Sequence, residues 1–370
     1  MVDTVNFYQY LVKHDLDFFT GVPDSLLKEL CSCIKDNSDS KHNIIAANEG
    51  NAVGLASGYH LSTGKLGVVY MQNSGEGNAV NPLLSLADPR VYSIPMLLII
   101  GWRGEPGVHD EPQHVKQGEV TLKLLEAMDI EYRILSDNFE EDLEYLVSLA
   151  KKENKPTALI IRKGTFSKYD PINKGKAVMG ELLREEALEV ILNEIGDDMV
   201  VSTTGKESRE IFEIRERKGE GHAHDFLTVG SMGHTSSIAL GVSIGTDRNV
   251  WCLDGDGSFI MHMGGLAIAG VNAGDNFKYI INNNAAHESV GGQPTVSDKI
   301  DIKSILVACG FDKTYEARTK EEIKKSIQRM KQEGKCALIL YTKQGSRDDL
   351  GRPTTTPIQN KDAFMNEIKK

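Results

Sequence analysis

Short, uninterrupted apolar runs recur along this chain, each separated from the next by a stretch long enough to hold a helix. They fall at residues 18–22, 44–47, 66–71, 96–100, 131–135 and 158–161, and again at 199–202, 226–228, 250–253, 277–281, 311–315 and 337–341. A strand with one face in water alternates apolar with polar residues. A strand covered on both faces need not, so continuous apolarity selects a parallel sheet with helices packed on either side. The chain is therefore expected to be α/β, with two doubly wound parallel-sheet domains. A polar stretch at 163–176 divides the two sets of runs and predicts a first domain at 1–165, a linker at 166–180 and a second domain at 181–370. In such sheets ligands bind beyond the carboxyl ends of the strands, so the residues after each run are where chemistry is sought.

Several function classes are excluded early. A formal net charge of -11 opposes general binding to nucleic acid, which needs clustered Lys and Arg. No apolar run reaches membrane-spanning length, and the first residues, MVDTVNFYQYLVKHD, lack the pattern of a secretion signal; a cytoplasmic protein is the expectation. The 5 cysteines are scattered without metal-knuckle spacing and read as inert thiols. Thr204-Gly-Lys-Glu-Ser208 fails the P-loop pattern, and Gly255-Asp-Gly257 lacks the third glycine of a dinucleotide fingerprint. His222 and His224 sit in a polar loop and read as solvated rather than metal-ligating.

The run at 250–253 leads into Asp254-Gly255-Asp256-Gly257-Ser258 and then a small-residue helical stretch at 263–269. Glycines let a backbone approach a ligand, Ser258 offers a hydroxyl, and a following helix start presents amide hydrogens to an anion such as a diphosphate. One strand–helix–strand unit later comes Asn282-Asn283-Asn284-Ala285-Ala286-His287; a strand adjacent in the sheet would end beside Asp256. Carboxylate, amide and carbonyl oxygens suit magnesium, which also takes phosphate oxygens. In the other half, Glu49 follows a strand and opens a helix of small residues, where apolar surroundings should raise its pKa.

With these motifs in hand, the chain resembles the thiamine-diphosphate-dependent decarboxylase family. That resemblance implies thiamine diphosphate and Mg2+ as cofactors, a pyrimidine-binding first domain and a diphosphate-binding second one. It places Asp256 and Asn284 as metal ligands with the Ala286 carbonyl, or, one residue earlier, Asn283 with the Ala285 carbonyl. Glu49 would meet the pyrimidine ring, Gly230 would offer its carbonyl to it, Met232 beside Gly233 would wedge under the cofactor, and Gly255, Gly257 and Ser258 would line the diphosphate. Asp24 and His114 match positions that handle protons near the reacting carbon. The resemblance also implies a homodimer or larger assembly, with active sites at the subunit interface.

Four further blocks, at 71–83, 110–114, 287–295 and 345–355, are similar to the short branch of that family that decarboxylates phosphonopyruvate, with sulfopyruvate as the runner-up substrate. The expected substrate is thus a small anionic 2-keto acid with a second anion on C3. Arg347, Arg352 and Lys343 are candidates to receive that anion.

Overall fold

The strand Met96–Gly101 shows why continuous apolarity selects this architecture. Every residue in it is buried, and alternate side chains enter two different cores: Leu97 and Ile99 join one apolar cluster, while Met96, Leu98 and Ile100 join another. The two-residue period of a strand sends neighbours to opposite faces, so both faces need helices over them. Each fully buried Leu or Ile contributes on the order of 1.5–3 kcal/mol.

The computed structural model describes residues 1–172 and 179–370. The chain divides into two units, one comprising 1–174 with 290–293 and the other 175–289 with 294–370. Of the expected linker at 166–180, residues 173–178 lie outside the described residues.

The first unit carries β1 (Phe18–Gly21), β2 (Asn43–Ile45), β3 (Gly67–Gln72), β4 (Met96–Gly101), β5 (Glu131–Ile134) and β6 (Thr157–Ile161). They form one sheet in the order β2-β1-β3-β4-β6-β5, parallel throughout. The chain reverses its direction of travel across the sheet between β1 and β3, and a crevice opens at such a point.

The second unit carries β7 (Met199–Ser202), β8 (Asp225–Leu227), β9 (Val250–Gly255), β10 (Phe277–Asn283), a short ribbon of β11 (Ala286–His287) and β12 (Gln293–Pro294), then β13 (Thr314–Ala317) and β14 (Cys336–Tyr341). Its sheet runs β13-β14-β10-β9-β7-β8, again parallel. β10 behaves as β4 does, with Ile280 in one core and Phe277, Tyr279 and Ile281 in the other.

Eleven of the twelve apolar runs stand as strands where predicted, and the twelfth is displaced. The run at 311–315 becomes a strand only from Thr314, because Phe311 sits in the turn as a fully buried plug and its carbonyl accepts from Thr314 Oγ1 at 2.7 Å. The ribbon was not legible, its strands being two residues long. After β9 the turn itself is helical, over Asp256–Met261, before the expected helix begins at Gly264. Among the described residues no helix is long and apolar enough to cross a membrane, and the five cysteines are free thiols.

Candidate active site

In the second unit, β9 and β10 are neighbours with Gly255 opposite Asn282, so Asp256 and Asn283 leave adjacent strand ends. Two hydroxyls that sequence reasoning missed join them. Thr295 Oγ1 donates to Asp256 Oδ2 at 2.5 Å, and Ser297 Oγ lies 2.8 Å from both Asp256 Oδ2 and Asn283 Oδ1. The block containing Thr295 was visible, but nothing in its spacing said that the chain returns to Asp256. Burial raises the Asp256 pKa to about 6, and the two hydroxyls and the backbone offset only part of that cost. The cluster offers oxygen alone, the chemistry of a hard divalent cation. Among the described residues there is no group of three His, Cys, Asp or Glu that could hold a metal instead.

Asn284 is directed elsewhere. Its Oδ1 accepts from the Ala286 amide at 3.0 Å, and its Nδ2 donates to Glu288 Oε2 at 3.2 Å. Of the two asparagines, the structure groups Asn283 with Asp256. Ala285, at a φ of 56°, turns the backbone sharply after them, the kind of strain a site retains.

The loop after β8 meets the turn after β9. The Gly233 amide donates to Ser258 Oγ at 3.0 Å. Gly257 admits no side chain, since a Cβ there would lie 2.8 Å from His287 Nδ1 and 3.3 Å from Met232 Cε. Met232, Gly233, Gly257, Ser258 and His287 thus converge; Gly255 is the residue before Asp256, and Gly230 is a half-buried bend in the same loop as Met232. Burial holds the His287 pKa down at about 4.

In the first unit, Glu49 opens the helix Glu49–Thr63, whose start is capped by the Asn48 side chain. Its Oε2 accepts from Asn78 Nδ2 at 2.7 Å. Gly75 is obligatory beneath it, because a Cβ there would stand 2.1 Å from Glu49 Oε1. Burial raises the Glu49 pKa, with Asn78 pulling the other way.

The segment holding Glu49 also reaches Asp24. Gln72 Nε2 donates to Asp24 Oδ1 at 2.6 Å, and the Leu26 amide donates to Oδ2 at 3.0 Å. Asp24 is fully buried, and burial raises its pKa. His114 belongs to the same cluster: Arg103 Nη1 donates to Ser25 Oγ at 2.8 Å, Arg103 grips Asp110, and Asp110 Oδ1 lies 2.9 Å from His114 Nδ1. Gln72, Arg103 and Asp110 were not singled out from sequence, although Asp110 four residues before His114 is a spacing that brings side chains together. These residues lie at or just beyond the ends of β1, β3 and β4, which are neighbours in the sheet.

Arg347 does not stand ready for a substrate anion. Its guanidinium is engaged by Glu185, Glu213 and Asp349, because the C-terminal loop folds back onto the second unit.

Comparison with known proteins agrees with this geometry. The model described as "Thiamine pyrophosphate enzyme, N-terminal TPP binding domain" matches residues 5–125, and its C-terminal counterpart matches 203–340. A phosphonopyruvate decarboxylase of Streptomyces viridochromogenes is 34% identical over 360 residues, covering 92% of this chain and 88% of its own. A sulfopyruvate decarboxylase of Methanosarcina acetivorans is 26% identical over 339 residues, 85% of this chain and 84% of its own. The sulfopyruvate decarboxylase subunit beta of Methanococcus maripaludis is 31% identical over 190 residues, 51% of this chain and all of its own. Two matching thiamine-pyrophosphate-binding domains, on a fold whose strand ends gather these acids, make this chain a member of the thiamine-diphosphate-dependent decarboxylases, a carboxy-lyase related to the phosphonopyruvate and sulfopyruvate enzymes.

Proposed function

We propose that this chain converts phosphonopyruvate to phosphonoacetaldehyde and CO2, using thiamine diphosphate and Mg2+, as a homodimer or larger homo-oligomer. The observation that carries the substrate is the likeness to a phosphonopyruvate decarboxylase along 92% of the chain. Sulfopyruvate is the second reading. Domain fusion does not argue against it, since the match to a sulfopyruvate decarboxylase runs along 85% of this chain. A non-catalytic binding protein is disfavoured by Glu49, which stays buried at an unfavourable cost.

When bound, the cofactor supplies the electron sink that a 2-keto acid lacks for losing CO2. The chain's own residues hold and position it. Asp256 and Asn283, with the Ala285 carbonyl next in line, are the oxygen donors that would hold the cation; Asn284 with Ala286 is the alternative pair. Gly255, Gly257 and Ser258 would line the diphosphate, Gly230 and Gly233 would frame the pyrimidine side, and Met232 would support the rings. Glu49 would hold a proton for exchange with the pyrimidine nitrogen, and burial, which raises its pKa, favours that protonated form. The overall change, R–CO–COO⁻ + H⁺ to R–CHO + CO2, consumes one proton. Asp24, whose carboxyl burial biases towards the protonated form, is the group to deliver it.

The test is direct. Purified protein with thiamine diphosphate and Mg2+ is given phosphonopyruvate, sulfopyruvate or pyruvate, and CO2 release and the aldehyde formed are measured. A kcat/KM for phosphonopyruvate at least about tenfold above the others is expected, a difference of about 1.4 kcal/mol in transition-state binding. Equal or reversed preference transfers the assignment to sulfopyruvate.

A further inference from the structure

We infer that Asp110 is a positioning residue for His114, fixing the imidazole with its proton on Nδ1 and leaving Nε2 as the ring atom able to take up a proton. The chemistry this serves rests on the decarboxylase reading above; the tautomer rests on geometry alone.

Asp110 lies two residues before the helix Pro112–Ala127, and five donors converge on its two oxygens. Arg103 reaches Oδ2 through Nε at 2.8 Å and Oδ1 through Nη2 at 2.5 Å. The Gly104 amide donates at 2.8 Å, the Glu111 amide at 2.7 Å, and His114 Nδ1 lies at 2.9 Å. A guanidinium and two backbone amides can only donate. Burial alone would raise the Asp110 pKa, but Arg103, His114 and the Gly104 amide outweigh it and hold the carboxyl well below the usual range. An ionised carboxylate only accepts, so the ring nitrogen facing it must carry the hydrogen. Burial also lowers the His114 pKa, which favours the neutral ring with Nδ1 protonated and a lone pair on Nε2.

The arrangement is fixed from behind. Arg103 is held through its own backbone, its amide donating to Asn73 Oδ1 at 3.1 Å and its carbonyl accepting from Asn73 Nδ2 at 2.8 Å. Its Nη1 donates to Ser25, next to Asp24. One cluster therefore holds an acid biased to keep its proton, Asp24, and a base biased to lack one, His114. Surroundings that push two titratable groups apart in this way assign acid and base roles. A helix start that only needed capping would not require Arg103, nor a histidine on the same oxygen.

Nitrogen-15 histidine NMR of the full-length protein at pH 7.5 tests the tautomer. The expected spectrum has a pyrrole-type Nδ1 and a pyridine-type Nε2 for His114. An Nε2–H tautomer in the wild type overturns the inference, and this measurement needs neither turnover nor a variant. In Asp110→Asn, whose amide can donate as well as accept, the tautomer preference should be lost and kcat should fall roughly 10²-fold or more. KM should change less than about threefold, and Asp110→Glu should recover part of kcat. An Asp110→Asn enzyme that keeps the Nδ1–H form, or keeps kcat within about threefold of wild type, overturns the inference. A wild type with Nδ1–H that decarboxylates no keto acid overturns the functional reading instead.

Discussion

Glu49 and Glu76 begin two neighbouring helices, and both are buried, yet their surroundings differ. Glu49 has the Asn78 amide to receive, whereas Glu76 Oε1 is buried without a hydrogen-bond partner. Replacing Glu49 by Gln removes the exchangeable proton and keeps the shape. Turnover should fall by about 10²–10⁴ while thiamine diphosphate still binds, as followed by a CO2 assay and by calorimetry. Near-normal turnover would count against the role given to Glu49. For Glu76, burial raises the pKa from 4.5 to about 8. Below the unfolded value both states are protonated and nothing is lost. Between pH 4.5 and about 8 the unfolded chain ionises while the folded one keeps its proton, so stability falls as pH rises, by roughly 5 kcal/mol in all at 1.36 kcal/mol per unit. Glu76→Gln cannot ionise and should therefore gain on wild type as pH rises. Urea unfolding at pH 5 and pH 8.5 reads this, and an equal gap at both values refutes it.

At the scale of elements, the segment between β10 and β11 decides which asparagine stands beside Asp256, where the proposed cation would bind. Asn283 faces Asp256 through Ser297, while Asn284 is drawn to Glu288. Asn283→Ala should weaken Mg2+ dependence at least about tenfold, with Asn284→Ala milder, as read by activity against metal concentration. The reverse order would restore the later register. Glu288 in turn is pinned by Arg184 Nη1 at 2.6 Å and by the Gly345 amide at 2.6 Å, and Arg184 also binds Glu210 Oε2 at 2.7 Å. Arg184→Met strands the buried Glu210 carboxylate and the partly buried Glu288 and should cost about 3–5 kcal/mol, a fall in Tm on the order of 10 °C by calorimetry. A shift of a degree or two would mean that Glu210 and Glu288 find other partners. Consecutive asparagines have no register of their own, so sequence spacing left this choice open. Only a strand end with a defined pleat, and Ser297 returning to it, separates them.

For the whole molecule, Glu49 and Asp256 belong to different units, and the proposed homo-oligomer would pair two such halves across a subunit interface. Light scattering of the active enzyme should give at least twice the 40.7 kDa chain mass; an active monomer would sink that expectation. The paired α/β architecture was legible because burial on both faces of a parallel strand leaves no polar alternation, a signal local to each run. Asp256, Glu49 and the loop around Met232 were legible for a related reason: each lies just beyond a strand, where glycine, acid and amide stand close together in the chain. Thr295 and Ser297 on Asp256, Asp110 between Arg103 and His114, and the commitment of Arg347 to Glu185 and Glu213 were not. These contacts join residues far apart in sequence or depend on which way a side chain turns. Local periodicity determined which segments became strands; which side chains meet at their ends was decided only when the sheets set strand neighbours and the loops closed over them.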